Sequence, residues 1–118
     1  MHRVVLDTNA LLMPFEFNFN LDLGLRELLG ECEVYVPGPV LGELKRSKNK
    51  HAKAALSLAS KYKVYEMGTQ GDAGVLQAAK ELGAYVLTND FPLQKKLRKE
   101  GIKVIYLRSK NHLTIDEI

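Results

Sequence analysis

This sequence of 118 residues has little of what several classes of protein depend on. Its single cysteine, Cys32, excludes an internal disulfide and is expected to be an inert core residue. The three histidines, His2, His51 and His112, are scattered, which favours surface positions and leaves no His/Cys set for zinc. No apolar run approaches the roughly 20 residues of a membrane helix. A charged, acid-bearing strand starts almost at Met1, so we expect no secretory signal, no membrane partner and a cytoplasmic location.

The sequence also lacks the glycine-rich loops with which many α/β proteins bind nucleotides. Neither G-x-x-x-x-G-K-[ST] nor G-x-G-x-x-G occurs. A phosphoacceptor receiver domain would need paired acids near the first strand, and this strand offers only Asp7. Nucleotide binding and phosphoacceptor signalling therefore rank low among the candidate functions.

The size and composition predict one globular domain over residues 1–118. Hydrophobic residues make up 46% and charged residues 26%, an ordinary balance for a chain that buries a full core. Five short apolar stretches predict strands, and helical stripes of leucine and alanine alternate with them. The strands are predicted at residues 3–6, 33–36, 64–67, 84–88 and 102–107. This alternation predicts a three-layer α/β/α sandwich around a parallel five-stranded sheet of order 3-2-1-4-5.

Two segments are harder to interpret from their pattern. Pro14 is expected to end the first helical stretch, and Phe15, Phe17 and Phe19 then alternate with polar residues, as in an extended segment. These phenylalanines are expected to pack on the core or on a second subunit, which would be compatible with a homodimer; stacking on unpaired bases is the alternative. Residues 109–118 form a polar tail without a predicted element.

Four acids fall where parallel strands would deliver them to one edge of the sheet. Asp7 and Asp90 end the first and fourth strands, Glu43 lies early in the helix after the second, and Asp72 is expected to cap the helix after the third. Clustered carboxylates repel one another unless a cation neutralises them. Oxygen ligands suit Mg²⁺ or Mn²⁺ better than zinc. The sequence therefore predicts a metal-binding carboxylate cluster that cuts RNA.

Each of these acids also has a purely structural interpretation. Asp7, Asp72 and Asp90 stand where helix caps are common, and Glu43 taken alone would be a solvated helix residue. The small polar residues beside the strand-end acids are expected to orient carboxylates or cap helices. These residues are Thr8, Asn9, Thr88 and Asn89.

The charge of the chain is unevenly distributed. Residues 1–44 carry seven acids and two bases, a net charge of −5, whereas residues 45–118 carry seven acids and fifteen bases, a net charge of +8. A basic run begins two residues beyond Glu43, and we expect Lys45, Arg46 and Lys48 to steer RNA. A solvated helix face is the alternative for this run.

Taken together, the acidic motifs resemble those of the PIN domain, a metal-dependent ribonuclease fold. The matching pieces span residues 3–107 and keep their order and intervals. They are Leu6-Asp7-Thr8-Asn9, Val40-Leu41-Gly42-Glu43-Leu44, Asp72 followed by Val75-Leu76-Gln77-Ala78-Ala79, and Thr88-Asn89-Asp90. The resemblance implies that the four acids bind one or two Mg²⁺ or Mn²⁺ ions and that Thr8 supports Asp7.

The longer strings at residues 6–15 and 104–109 look most like the archaeal, ribosomal-RNA-processing type of PIN domain. Ribosomal RNA or its precursor is then the implied partner. The other large branch comprises toxins, which would add an antitoxin as partner. Many PIN domains carry a further acid where this chain has Leu93 and Gln94, which leaves one fewer ligand. A PIN fold that binds RNA or an assembly partner without cutting is therefore a further alternative.

Overall fold

The computed structural model describes residues 1–116, within which six strands and six helices alternate along most of the chain. The strands are β1 (His2–Leu6), β2 (Cys32–Pro37), β3 (Lys63–Tyr65), β4 (Tyr85–Leu87), β5 (Val104–Arg108) and β6 (His112–Ile115). The helices are α1 (Thr8–Phe17), α2 (Leu21–Leu29), α3 (Gly38–Arg46), α4 (Ala52–Ala59), α5 (Gly71–Leu82) and α6 (Phe91–Lys99).

The strands form one sheet of order β3-β2-β1-β4-β5-β6. The first five strands are parallel, which confirms the predicted order 3-2-1-4-5. The prediction of five strands is wrong, because a sixth strand, β6, pairs antiparallel with β5. Strand β6 lies in the polar tail for which no element was predicted, and a tight turn in which Ser109 and Lys110 adopt positive φ joins it to β5. Glu117 and Ile118 of that tail lie outside the described residues.

Helices cover both faces of the sheet, as the three-layer prediction requires. Successive residues of a strand point to opposite faces, and Val4, Val5 and Leu6 are all fully buried. Helices α1, α3 and α4 pack against one another, whereas α5 packs along β1, β2 and β4. No helix within residues 1–116 combines the length and the hydrophobicity that crossing a bilayer would demand.

The first helix runs through Pro14 instead of ending there. Proline removes one helical hydrogen bond, but the Pro14 carbonyl accepts the backbone N–H groups of both Asn18 and Phe19, which close the helix. Phe15 is therefore helical and packs against the core together with Phe19. Phe17, at the helix end, is 38% exposed. The extended segment predicted for these phenylalanines is wrong for Phe15 and Phe17.

Cys32 is less buried than predicted. It opens β2 and is partly exposed, although it packs against the core. Its burial, followed by the charge of Asp22, raises the pKa of the Cys32 thiol. The uncharged thiol is therefore favoured, which agrees with the inert role predicted for this residue.

Candidate active site

Pairing of β1 with β4 sets the position of the first and last acids. Leu6 lies beside Leu87 in parallel register, so the next residues of the two strands, Asp7 and Thr88, emerge side by side at the carboxyl edge. The chain then enters α1 after Asp7 and α6 after Asp90, and each aspartate is the N-cap of its helix. Asp7 and Asp90 therefore cap helices and also belong to the predicted site.

Asp7 is a buried carboxylate with both oxygens occupied. Its Oδ1 accepts the backbone N–H of Ala10 at 2.7 Å, and its Oδ2 accepts the Thr88 hydroxyl at 2.5 Å. Burial nevertheless raises the pKa of Asp7 to about 7. The negative charges of Asp90 and Asp72 add to this rise. The ionised form of Asp7 is therefore costly unless positive charge is supplied nearby.

Thr88 connects the two strand-end acids. The Thr88 side chain is fully buried, and its hydroxyl also accepts the backbone N–H of Asp90 at 3.0 Å. Asp90 accepts the backbone N–H of Leu93 through Oδ1 at 3.0 Å, the bond of an N-cap. One hydroxyl therefore fixes the side chain of Asp7 relative to the backbone that carries Asp90.

Glu43 lies in the second turn of α3 and is held by Thr8. The Thr8 hydroxyl donates to Glu43 Oε2 at 2.8 Å. The resemblance implies that Thr8 supports Asp7, but in the structure Thr88 has that role. Thr8 begins α1 directly after Asp7, and its side chain faces the helix that carries Glu43. The resemblance therefore indicated the wrong carboxylate for this hydroxyl.

Asp72 lies in the first turn of α5, two residues after the N-cap rather than at the N-cap position that its sequence context predicts. The N-cap of α5 is Gln70, so the prediction that Asp72 caps this helix is wrong. Its Oδ2 lies 3.4 Å from Lys96 Nζ of α6, in a largely exposed ion pair. Gly71, with φ +64°, precedes Asp72 and also lines the site. Lys96 had no signal in the sequence, because it is 24 residues from its partner.

All four acids line one open cavity of about 340 Å³. Thr8 and Asn9 share its wall with four less polar residues, Leu12, Val40, Gly71 and Val75. The N-termini of α1, α5 and α6 also meet at this cavity, since Asp7, Asp72 and Asp90 belong to their caps or first turns. The partial positive charge of helix N-termini favours carboxylates there and would favour a phosphate as well.

The oxygen atoms that line the cavity are of the type that binds a hard divalent cation, although the carboxylates do not converge on one common position. Carboxylate and hydroxyl oxygens surround the cavity, and oxygen is the ligand that Mg²⁺ and Mn²⁺ prefer. Within residues 1–116, no three or more His, Cys, Asp or Glu side chains form a ready-made metal site. Asp90 Oδ2, Glu43 Oε1 and Asp72 Oδ1 make no hydrogen bond to the described part of the chain.

The two asparagines of the strand-end motifs hold the edge of the sheet together. Asn9 Oδ1 accepts the backbone N–H of Asn89 at 2.8 Å. The Asn89 amide donates to the carbonyl of Leu107 at 3.2 Å and accepts its N–H at 2.7 Å. Asn89 thereby extends the pairing of β4 with β5 beyond the end of β4. Asn9 lines the cavity, whereas Thr88 and Asn89 lie behind it.

Gln94 is one of the two positions at which the resemblance implies a further acid, and it has a structural function here. This buried side chain donates from Nε2 to the Thr88 carbonyl at 2.8 Å. Its Oε1 accepts from Arg98 at 3.4 Å. A carboxylate would lack the N–H that reaches the Thr88 carbonyl. Gln94 therefore supports the backbone of Thr88, a role that its sequence position alone did not indicate.

The predicted basic residues lie outside the cavity. Lys45, Arg46 and Lys48 are exposed, and none of them lines the acidic site. Arg46 Nη1 lies 3.2 Å from the point that a Cβ on Gly42 would occupy, so the guanidinium is folded back along α3 over Gly42. Lys45 and Arg46 lie in the last turn of the helix that carries Glu43, and Lys48 follows that helix. The role of these three residues in RNA binding stays a prediction.

Two relatives resemble this chain over nearly its full length. Ribonuclease VapC9 of Archaeoglobus fulgidus is 30% identical in an alignment of length 119 that covers 95% of this chain and 87% of that protein. Ribonuclease VapC4 of Methanocaldococcus jannaschii is 32% identical in an alignment of length 128 that covers 98% of this chain and 97% of that protein.

Two solved structures have the same fold. The PIN domain endonuclease Utp24 superposes with a TM-score of 0.84 at 22% identity, covering 98% of this chain and 92% of that chain. A domain of a functionally unknown protein from Methanocaldococcus jannaschii superposes with a TM-score of 0.68 at 19% identity, covering 100% and 96%. The family model described as a PIN like domain matches residues 4–110. The chain therefore belongs to the PIN-like domain family.

Proposed function

We propose that this protein is an endoribonuclease that hydrolyses RNA phosphodiester bonds with Mg²⁺ or Mn²⁺. The observation that carries the proposal is the single cavity lined by Asp7, Glu43, Asp72 and Asp90 at the carboxyl edge of β1 and β4. The two relatives named as ribonucleases support the same class of reaction.

The four carboxylates would hold the cation. A divalent ion, when bound, lowers the pKa of a water molecule and neutralises charge that develops on the phosphoryl oxygens. The chain keeps the ligands in place: Thr88 holds the side chain of Asp7, and Thr8 holds that of Glu43. These hydroxyl bonds orient both carboxylates in the absence of an ion.

The basic residues near α3 would bind the flanking phosphates. Lys45, Arg46 and Lys48 are exposed on or just after the helix that carries Glu43. A strand of RNA whose scissile phosphate lies at the cavity would bring its neighbouring phosphates past this helix. Binding through these contacts would weaken steeply with added salt.

Cleavage of structured ribosomal RNA by the purified protein tests the proposal directly. We expect internal cuts in the presence of Mn²⁺, none in EDTA, and none with Asp7→Asn. Asp22→Asn is the matched control, because Asp22 is an acid outside the cavity that pairs with Lys61. Equal cleavage by wild type and Asp7→Asn would identify a contaminating nuclease and contradict the proposal.

Ribosomal RNA or its precursor is the substrate that the strings at residues 6–15 and 104–109 favour. Competition separates the alternatives: ribosomal RNA should be cut before transfer or messenger RNA of equal concentration. A toxin-type enzyme would instead be inhibited stoichiometrically by an antitoxin protein. A binding module that does not cut would take up no Mn²⁺ below millimolar concentration in calorimetry. The absence of a further acid at Leu93 and Gln94 supports this last alternative, and Mn²⁺ binding below millimolar concentration would contradict it.

A further inference from the structure

Phe91 is an exposed aromatic residue beside the acidic cavity. It begins α6 and directly follows Asp90, so the two Cα atoms are about 3.8 Å apart. Its side chain is 60% exposed, more than any other large hydrophobic residue after Met1 within residues 1–116. Leu93 and Leu97 form the buried face of the same helix. The core therefore does not use Phe91, and its exposure calls for another explanation.

A lysine covers the ring of Phe91. Lys95 Nζ lies 5.2 Å from the ring centroid, the distance of a cation–π contact one helical turn along α6. Within residues 1–116, no carboxylate lies within ion-pair distance of Lys95. Lys99 continues the same exposed stripe, and α6 contains no acid. The exposed stripe of α6 therefore begins next to Asp90 with an aromatic ring, just outside the lining of the cavity, and continues with the positive charges of Lys95 and Lys99.

This combination fits nucleic acid better than protein. A protein partner would cover an apolar ring with an apolar patch, but Phe91 stands between Asp90 and Lys95 and has no exposed apolar neighbour on the described part of α6 except Pro92. An unpaired nucleotide offers a flat π-face for the ring and a phosphate for the lysine. A base in a continuous duplex is stacked on both sides and offers no free face.

We infer that Phe91 stacks on an unpaired nucleobase of the RNA, next to the phosphate at the cavity, while Lys95 contacts a neighbouring phosphate. The inference rests on the proposed function and deepens it, because it restricts the substrate to RNA that is single-stranded at this point. Phe91 is thus a residue that determines specificity for unpaired RNA and stands outside the carboxylate cluster.

The test measures binding of a fluorescein-labelled, unstructured 12-nucleotide RNA by anisotropy, in Mg²⁺ and in the Asp7→Asn background. We expect Phe91→Ala to weaken binding about tenfold and Phe91→Trp to retain it, because alanine removes the stacking surface and tryptophan keeps it. Leu23→Ala is the control, since Leu23 is 48% exposed and lies outside the cavity. Lys95→Gln should lower the salt slope of binding by about 0.7, whereas Phe91→Ala should leave that slope unchanged.

A set of RNAs with one abasic nucleotide at successive positions locates the stacked base. At one position, loss of the base should weaken binding to the protein that retains Phe91 but should not weaken binding to the Phe91→Ala variant. Equal losses for both proteins at every position, or unchanged binding by Phe91→Ala, would overturn the inference. A change in oligomeric state caused by Phe91→Ala, with RNA binding intact, would assign the ring to a protein contact and would also overturn it.

Failure of the inference and failure of the proposed function are distinguishable in this design. Binding is measured without cleavage, so base-specific loss with Phe91→Ala would support stacking even for a protein that cuts nothing. Cleavage by Phe91→Ala with the wild-type KM for single-stranded RNA would overturn stacking and leave the nuclease assignment intact.

Discussion

The hydroxyl of Thr88 donates to Asp7 Oδ2 at 2.5 Å, although 81 residues separate the two in sequence. Both side chains are buried, and both follow strands that pair in parallel at the centre of the sheet. The bond fixes the orientation of the most buried carboxylate of the cavity. The same hydroxyl accepts the backbone N–H of Asp90 at 3.0 Å, so it couples the two acids on which the proposed chemistry depends.

Replacing Thr88 by valine should therefore impair both stability and activity. Thr88→Val keeps the shape but leaves Asp7 Oδ2 and the Asp90 N–H without their partner, which should cost about 1–3 kcal/mol of unfolding free energy. We expect cleavage to fall by about one to two orders of magnitude, as for lost support of a metal ligand. Urea unfolding and initial cleavage rates in Mn²⁺ measure the two effects. Thr88→Ser keeps the hydroxyl and should retain most of both.

Asp7 should make the metal-free protein less stable as the pH rises. Burial raises the pKa of Asp7 to about 7, against 3.8 as its ordinary value, so the folded state holds a proton that the unfolded state has lost between these pH values. Stability therefore falls through this window, by on the order of 4 kcal/mol for a shift of this size. Urea unfolding in EDTA from pH 4.5 to 8 measures the slope.

Asp7→Asn is the matching variant for this titration. Asparagine has no proton to lose, and its amide still offers an oxygen to Ala10 and an N–H to Thr88. We expect its metal-free stability to depend less on pH and to exceed that of the wild type near pH 8. Mn²⁺ should stabilise the wild type at pH 8 and leave Asp7→Asn nearly unchanged. Parallel pH profiles of the two metal-free proteins would contradict the buried-charge explanation.

Gly74 and Gly42 should respond oppositely to substitution by alanine. A Cβ at Gly74 would lie 2.1 Å from the Thr69 carbonyl oxygen, a backbone atom that cannot move independently. A Cβ at Gly42 would meet only the tip of the Arg46 side chain, at 3.2 Å. Gly74→Ala should cost about 3 kcal/mol, whereas Gly42→Ala should gain up to about 1 kcal/mol from helix propensity. Thermal unfolding of the two variants measures both signs.

The same Gly74 substitution should also affect the site. The Gly74 N–H bonds to the Gln70 carbonyl, within the turn that carries Asp72. Displacing this turn should shift Asp72 relative to the cavity and lower the affinity for Mn²⁺, which calorimetry can measure. Equal Mn²⁺ affinities for Gly74→Ala and wild type would show that this turn tolerates the change.

Removing the three predicted phosphate ligands near α3 should change the salt dependence of RNA binding. Lys45→Gln, Arg46→Gln and Lys48→Gln together remove three cations, which should reduce the slope of log K against log salt by about 2 for a single strand. The matched control replaces Lys63, Lys80 and Lys103 by glutamine at the opposite edge of the sheet, around cavities that contain none of the four site acids. Equal slopes for both triple variants would assign the α3 residues to a solvated face.

The sequence by itself determined the layered α/β architecture and the order of the five parallel strands. Alternating apolar stretches and helical stripes constrain which faces are buried, and right-handed crossovers leave few strand orders. The positions of Asp7 and Asp90 after such stretches were sufficient to place both at one edge of the sheet. These features depend on periodicity and chain connectivity, which can be read along the chain.

Tertiary structure alone decided which side chains touch. Thr8 bonds to Glu43 and Thr88 bonds to Asp7, because strand register and helix orientation determine distances of a few ångströms that periodicity does not specify. The same applies to Gln94 behind Thr88. Strand β6 also needed the folded sheet, since a short polar segment becomes a strand only where β5 offers unpaired backbone groups. A hydrogen bond depends on the distance between two atoms in the folded chain. The periodicity of the sequence indicates only which face of a strand or helix a side chain lies on.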